Sequence, residues 1–230
     1  MLRVGGFTPL STTDWPDMLA AVVFCQGCPW RCRYCHNPAL IPVQGENELR
    51  WESILEFLQR RQGLLDGVVF SGGEPTLQAG LLDAISEVRE LGFKVGLHTG
   101  GMYPQRLQAV LPLVDWVGMD VKAPFADYPH ITGAPGSGER ALASLDLVLQ
   151  SGVENEIRTT VHPALLDDEM VHMLANDLAE QGVKHYVIQA FRSQGCEDEF
   201  LNRNMARQRP LASVGQNIAG QFESFTLRSS

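Results

Sequence analysis

Four of the five cysteines in this chain, Cys25, Cys28, Cys32 and Cys35, fall within eleven residues, and no other feature restricts the fold as strongly. So dense a group cannot cross-link distant parts of a 230-residue chain. Disulfide frameworks spread their cysteines through small secreted domains, whereas a tight group in a chain of this size points to metal binding or redox chemistry. Cys28, Cys32 and Cys35 follow the spacing CxxxCxxC, so three thiolates converge on one inorganic core from a single loop. Soft thiolates favour iron-sulfur or zinc. Structural zinc commonly pairs two CxxC knuckles a dozen or more residues apart, and the sequence has no second knuckle. Three ligands satisfy three irons of a cubane and leave the fourth open. Cys25 could close a four-thiolate cluster of the electron-transfer kind, but it ends an apolar run, where packing is the commoner fate of a cysteine. Cys196 stands alone.

Short apolar or β-branched runs bounded by glycine, at 19–25, 67–71, 93–99, 115–121, 156–161 and 185–189, predict six buried parallel strands. Helical stripes separate them. Trp51, Ile54, Leu55 and Leu58 make one, and Leu81, Ile85, Val88 and Leu91 a second that Gly92 closes. Leu142, Leu145 and Leu149 make a third ending near Gly152, and Val171, Leu174 and Leu178 a fourth between Asp167 and Gly182. Pro104 suits the first turn of a short helix that Pro112 ends. Six units are too few for a closed eight-stranded barrel, yet right-handed crossovers still curl the sheet and gather all strand C-termini at one rim. The expected fold is α/β, a partial, open (β/α)6 barrel of parallel strands. It forms a single domain over 1–230, with a core over 18–192 and an extension over 193–230 that holds a short helix and a last strand at 222–227.

The rim collects the unusual residues. Ser71-Gly72-Gly73-Glu74-Pro75 follows the second strand, His98-Thr99-Gly100-Gly101 the third and Asp120-Val121-Lys122 the fourth, while Arg158 and Gln189 lie toward the ends of the fifth and sixth. Each alone reads as an ordinary turn or surface ion pair; gathered at one end of a parallel sheet, they mark an active site. His36 and Asn37 shape the turn after the cysteines, and His98, His130, His162, His172 and His185 show no metal-ligand spacing. With 27 acidic against 18 basic residues the net charge is −9, and no block of cations suggests nucleic-acid binding. The apolar stretch at 18–25 is far short of the roughly 20 residues a membrane helix needs. A cytoplasmic protein with neither nucleic-acid nor membrane partners is expected.

The stretch from Phe24 through Cys25-Gln26-Gly27-Cys28-Pro29-Trp30-Arg31-Cys32-Arg33-Tyr34-Cys35-His36-Asn37-Pro38 resembles the radical S-adenosylmethionine (SAM) enzymes, in particular the activating proteins of glycyl radical enzymes. It is most similar to those serving anaerobic ribonucleoside-triphosphate reductase. Ser11-Thr12-Thr13-Asp14-Trp15-Pro16, the Gly-Gly-Glu motif, Asp120-Val121-Lys122-Ala123-Pro124 and Val187-Ile188-Gln189-Ala190-Phe191-Arg192 extend the likeness over positions 5 to 192.

The resemblance implies one 4Fe-4S cluster held by Cys28, Cys32 and Cys35, with SAM chelated on its open iron. It implies cofactor contacts from Tyr34, Gly72, Gly73, Glu74, Thr99, Asp120, Lys122, Arg158 and Gln189, with Lys122 meeting the methionine carboxylate and Asp120 at or beside a monovalent cation site. No side chain beyond these is expected to be catalytic. The implied partners are a glycyl radical enzyme, namely anaerobic ribonucleotide reductase, and a reducing donor such as flavodoxin or ferredoxin. Three positions depart from the pattern: His98 stands where relatives often have aspartate, Asp17 replaces a glycine and Cys25 a non-cysteine. Segment 39–50 is too short for an inserted ferredoxin domain.

Two other functions fit parts of the pattern, a radical SAM enzyme acting on a small molecule, as 7-carboxy-7-deazaguanine synthases do, and a four-cysteine electron carrier. Electron paramagnetic resonance of the reconstituted, reduced protein separates the carrier from the rest. SAM is expected to change the cluster signal by reaching an open iron; an intact cluster whose signal ignores SAM would mean four protein ligands.

Overall fold

The computed structural model describes residues 1–204, 215 and 218–228. Among these residues, eight strands form one sheet in chain order: β1 (Val4–Ser11), β2 (Ala20–Cys25), β3 (Gly67–Gly72), β4 (Lys94–Thr99), β5 (Trp116–Asp120), β6 (Glu154–Val161), β7 (His185–Ala190) and β8 (Ser224–Arg228). β1 runs antiparallel to β2, and every later pair is parallel. β1 and β8 do not pair, so the curled sheet stays open, as the partial barrel requires. The six expected strands are β2 to β7, and β8 is the last strand expected in the extension. β1 was not foreseen, because Gly5, Gly6 and Pro9 interrupt its alternation. Proline is tolerated on such an edge, and a Cβ at Gly5 would lie 2.3 Å from Gln26 Oε1.

The helices are α1 (Trp51–Gln59), α2 (Leu81–Glu90), α3 (Pro104–Val110), α4 (Tyr128–Thr132), α5 (Ser137–Ser151), α6 (Asp168–Glu180) and α7 (Glu199–Arg203). α1, α2 and α6 bury the expected stripes, except that Leu55 and Leu91 are only half-buried. α6 is capped by Asp167, which accepts from the Met170 N–H at 2.9 Å. α5 is rotated from expectation: it buries Ala141, Ser144, Leu145 and Val148, leaving Leu142 and Leu149 half-buried. Small residues win this face because α5 packs against backbone. Ser144 Oγ donates to the Gly101 carbonyl at 2.9 Å, and a Cβ at Gly138 would sit 1.9 Å from the Phe125 oxygen.

Side chains alternate across the sheet. Ala21, Val23 and Cys25 of β2, Val68 and Phe70 of β3, Val95 and Leu97 of β4, and Val117 and Met119 of β5 join the large core beneath the helices. Ala20, Val22, Val69 and Trp116 form a second, smaller cluster on the opposite, luminal face, together with Trp15. Trp15 comes from the connection between β1 and β2 and stacks on Trp116, with centroids 5.6 Å apart at 17°. Gly67 and Gly96 make room, since a Cβ at either would lie 2.9 Å from the Trp15 ring. The Ser11-to-Pro16 motif is thus the floor of the lumen. Asp17 beside it has φ of 59°, a left-handed conformation that glycine adopts freely and aspartate tolerates.

Urea denaturation checks this floor. Trp15→Ala should cost about 3–5 kcal/mol, as other buried tryptophans do. Gly96→Ala should cost about 1–3 kcal/mol by overpacking, and less in a Trp15→Leu background.

Candidate active site

The cysteine loop leaves β2 and is pinned at both ends by backbone. Gly27 and Cys28 N–H groups donate to Leu40 and Ile41 at 2.8 and 3.0 Å, and those of Arg31 and Arg33 to Thr132 and Ile131 at 2.8 and 3.1 Å. Those last acceptors end α4, a helix the sequence pattern missed because it is one turn long. Cys28, Cys32 and Cys35 are half-buried free thiols, whereas Cys25 is fully buried on the helix side of β2, among Val23 and its neighbours. Burial pushes the Cys28 thiol up to about 12, despite the Trp30 N–H aimed at its sulfur, and raises Cys32 as well. Thiols in so dry a place ionise only against a cation, which the irons of a cluster supply. No three His, Cys, Asp or Glu side chains among the described residues are gathered tightly enough for a single ion. Thiolates on separate irons of a cubane stand further apart, so the donor set fits a cluster better than one zinc.

The Gly-Gly-Glu turn packs backbone to backbone on this loop. Gly72 has φ of 110°, and a Cβ there would lie 2.5 Å from the Cys25 nitrogen; one at Gly73 would lie 2.3 Å from the Gly27 oxygen. Gly73 N–H donates to Cys25 and Glu74 N–H to Gly27, both at 2.9 Å. Glu74 itself is fully buried. Its carboxylate accepts from Thr76 N–H at 3.1 Å and from the Thr76 hydroxyl, from Thr99 Oγ1 at 2.8 Å and from Gly100 N–H at 3.0 Å. Burial raises its pKa, and these four donors oppose that rise. Thr99 Oγ1 also accepts from Gly101 N–H at 3.0 Å. Glu74 and Thr99 therefore bind one loop to another.

A second group lines the lumen. Lys122 Nζ meets Asp120 Oδ2 at 3.0 Å and lies 5.7 Å from the Tyr34 ring centre. Burial works against its charge, but Asp120 and Tyr34 outweigh it and hold the ammonium pKa well above normal. Burial likewise works against the Asp120 charge, and Lys122 and Arg158 overcome it, leaving the carboxyl below its usual range. Arg158 pairs with Asp120 in register, donates from Nε to Glu156 at 2.8 Å and lies over Trp116 at 5.0 Å. A Cβ at Gly118 would be 2.6 Å from this guanidinium. Gln189 faces the same lumen from β7.

Several residues here escaped the sequence reading. Glu156 sits two positions before Arg158 and so shares its face, a period-2 signal that was available; Arg228, which donates to Glu156 Oε2 at 2.8 Å, gave none. His98 has both ring nitrogens engaged, Nδ1 with Ser71 Oγ at 3.1 Å and Nε2 with the Asp14 carbonyl at 2.7 Å. Neither nitrogen is left for a cation. Burial, and then the Arg158 charge, push its pKa down to about 3, so the ring is neutral.

The family model described as "Radical SAM superfamily" matches residues 22–176. A protein of Methanocaldococcus jannaschii, provisionally named a glycyl-radical enzyme activating enzyme, is 31% identical over 98% of this chain and 95% of its own length. The pyruvate formate-lyase-activating enzyme of Clostridium pasteurianum is 35% identical over 76% of both chains. Among solved structures, Streptococcus suis SuiB bound to S-adenosylmethionine superposes with a TM-score of 0.65 over 89% of this chain, at 13% identity. The present chain spans about half of that one, 48%.

His98 generates a pH prediction. The unfolded imidazole protonates near 6.5 while the folded one stays neutral to about 3. This contribution to stability is complete above pH 6.5 and is lost as pH falls toward 3, by up to ~1.4 kcal/mol per pH unit. Denaturation of wild type and His98→Gln across this range should show a shallower loss in the variant.

Proposed function

Since the chain belongs to the radical SAM superfamily and, within it, to the glycyl-radical enzyme activating enzymes, we propose that it installs a glycyl radical on anaerobic ribonucleotide reductase in the cytoplasm. The observation that carries the chemistry is the contact of the three-cysteine loop, through Tyr34, with the Lys122–Asp120 pair at the luminal rim. When bound, a 4Fe-4S cluster and SAM supply a 5′-deoxyadenosyl radical able to take hydrogen from a glycine Cα, the electron coming from a flavodoxin or ferredoxin.

This chain's own residues bind and orient. Cys28, Cys32 and Cys35 hold the cluster. Lys122 offers a fixed positive charge to the methionine carboxylate, with Asp120 setting its position and the Tyr34 ring shielding it from water. Gly72 and Gly73 present backbone carbonyls to the methionine ammonium. Glu74 and Thr99 keep that turn rigid, and Arg158 and Gln189 face the cofactor from the far wall. The Clostridium pasteurianum relative favours pyruvate formate-lyase as a second candidate partner.

Anaerobic incubation of reduced protein, SAM and each candidate partner, followed by electron paramagnetic resonance, tests both levels. A glycyl signal on the reductase is expected. A signal only on pyruvate formate-lyase would replace the partner, and none on any glycyl radical enzyme would remove the activase function. Lys122→Met should weaken SAM binding roughly tenfold to a hundredfold, the worth of a charged hydrogen bond.

A further inference from the structure

Glycine has no side chain, so an enzyme that acts on its Cα has no handle on that residue itself other than the peptide groups on either side. Such recognition needs side chains that keep hydrogen-bonding groups free of internal partners and stand beside the place where chemistry occurs. The luminal face holds such a set. Thr160 of β6 pairs in register with Gln189 of β7, which pairs in register with Arg228 of β8. Their neighbours Val161, Ile188, Phe225 and Leu227 pack into the helix-side core, so all three side chains face the lumen in one row.

Among the described residues, the side chains of Thr160 and Gln189 make no hydrogen bond at all. Among the described residues the Arg228 side chain has one partner, Glu156, reached from Nη2, and it is a third exposed. Glu156 is held on its other oxygen by Arg158, so it fixes the Arg228 guanidinium without consuming its remaining donors. Asp120 pairs with Arg158, so the row lies two residues further toward the strand C-termini than that pair. It also runs to β8, which among the described residues is the edge strand of the sheet.

We propose that Thr160, Gln189 and Arg228 form a substrate-positioning row that binds the main chain of an extended, glycine-bearing peptide entering over the β8 edge. This rests on the activase function proposed above. Arg228 donates to peptide carbonyls, Gln189 pairs with a peptide group through both its amide oxygen and its NH2, and Thr160 supplies a hydroxyl at the inner end. Main-chain bonding of this kind gives affinity without demanding a particular side chain. Gln189, in the middle of the row, then serves as the boundary between cofactor and peptide.

The test uses reconstituted holoenzyme, SAM and the glycyl radical enzyme that the wild-type protein activates. Initial rates of radical formation against partner concentration give kcat and KM; titrating the cluster signal with SAM in the absence of partner gives the SAM dissociation constant. Arg228→Gln should raise the partner KM roughly tenfold and Thr160→Val a few-fold, with kcat falling less and SAM binding less affected than KM. Because the Thr160 hydroxyl makes no internal bond, Thr160→Val carries the test even if Arg228→Gln fails to fold. A wild-type KM in both variants, or SAM affinity lost in step with KM, overturns the row alone. Absence of a glycyl radical with wild-type protein overturns the activase function and the row with it.

Discussion

Glu74 has no access to solvent, and the way its carboxyl is satisfied fixes how three of the rim loops meet. An isolated buried carboxylate costs several kcal/mol, more than a small domain can spare unless hydrogen bonds replace the lost water. The donors come from its own turn, through Thr76, and from the turn after β4, through Thr99 and Gly100. The Glu74 N–H meanwhile reaches Gly27, at the root of the cysteine loop. Three loops from three strands are thereby held in one arrangement. Glycine at 72 and 73 is what lets the backbones come close enough.

The lumen solves a different problem, which is to keep charges in a confined space without filling it. Trp15 and Trp116 close the floor with apolar surface. Above them the charges occur in compensated sets: Asp120 with Lys122, and Glu156 between Arg158 and Arg228. Among the described residues these sets leave an excess of one positive charge, two carboxylates against three cations. The neutral His98 ring agrees with that balance.

How much of this could be read from residues alone depended on whether the signal was local. β2 to β7 were legible because each holds a short apolar or β-branched run between helical stripes, and the cysteine and Gly-Gly-Glu motifs because their spacing is fixed along the chain. Cys25 could be placed by strand alternation, which sends it to the opposite face from Phe24. β1 was not legible, since its glycines and proline are chosen by what they touch across the fold. The phase of α5 was misjudged for a similar reason: leucines marked the stripe, while contact with Gly101 and Phe125 selected serine and glycine. Arg228 belongs to the site only because β8 adds to β7 in parallel, and nothing near it in the sequence says so.

Strand order in the sheet equals strand order in the chain, without a single interchange. Each strand made can therefore pair at once with the one made just before it, so the sheet is able to grow vectorially as the chain leaves the ribosome. The luminal charges do not mature in the same even way. Glu156 and Arg158 arrive together on β6, but the second cation waits for β8, added last among the eight strands. A nascent or frayed protein lacking that strand would keep its cysteine loop and rim while missing the wall nearest the opening. Assembly of the cofactor end and completion of the entry edge are thus separate events in the life of the chain.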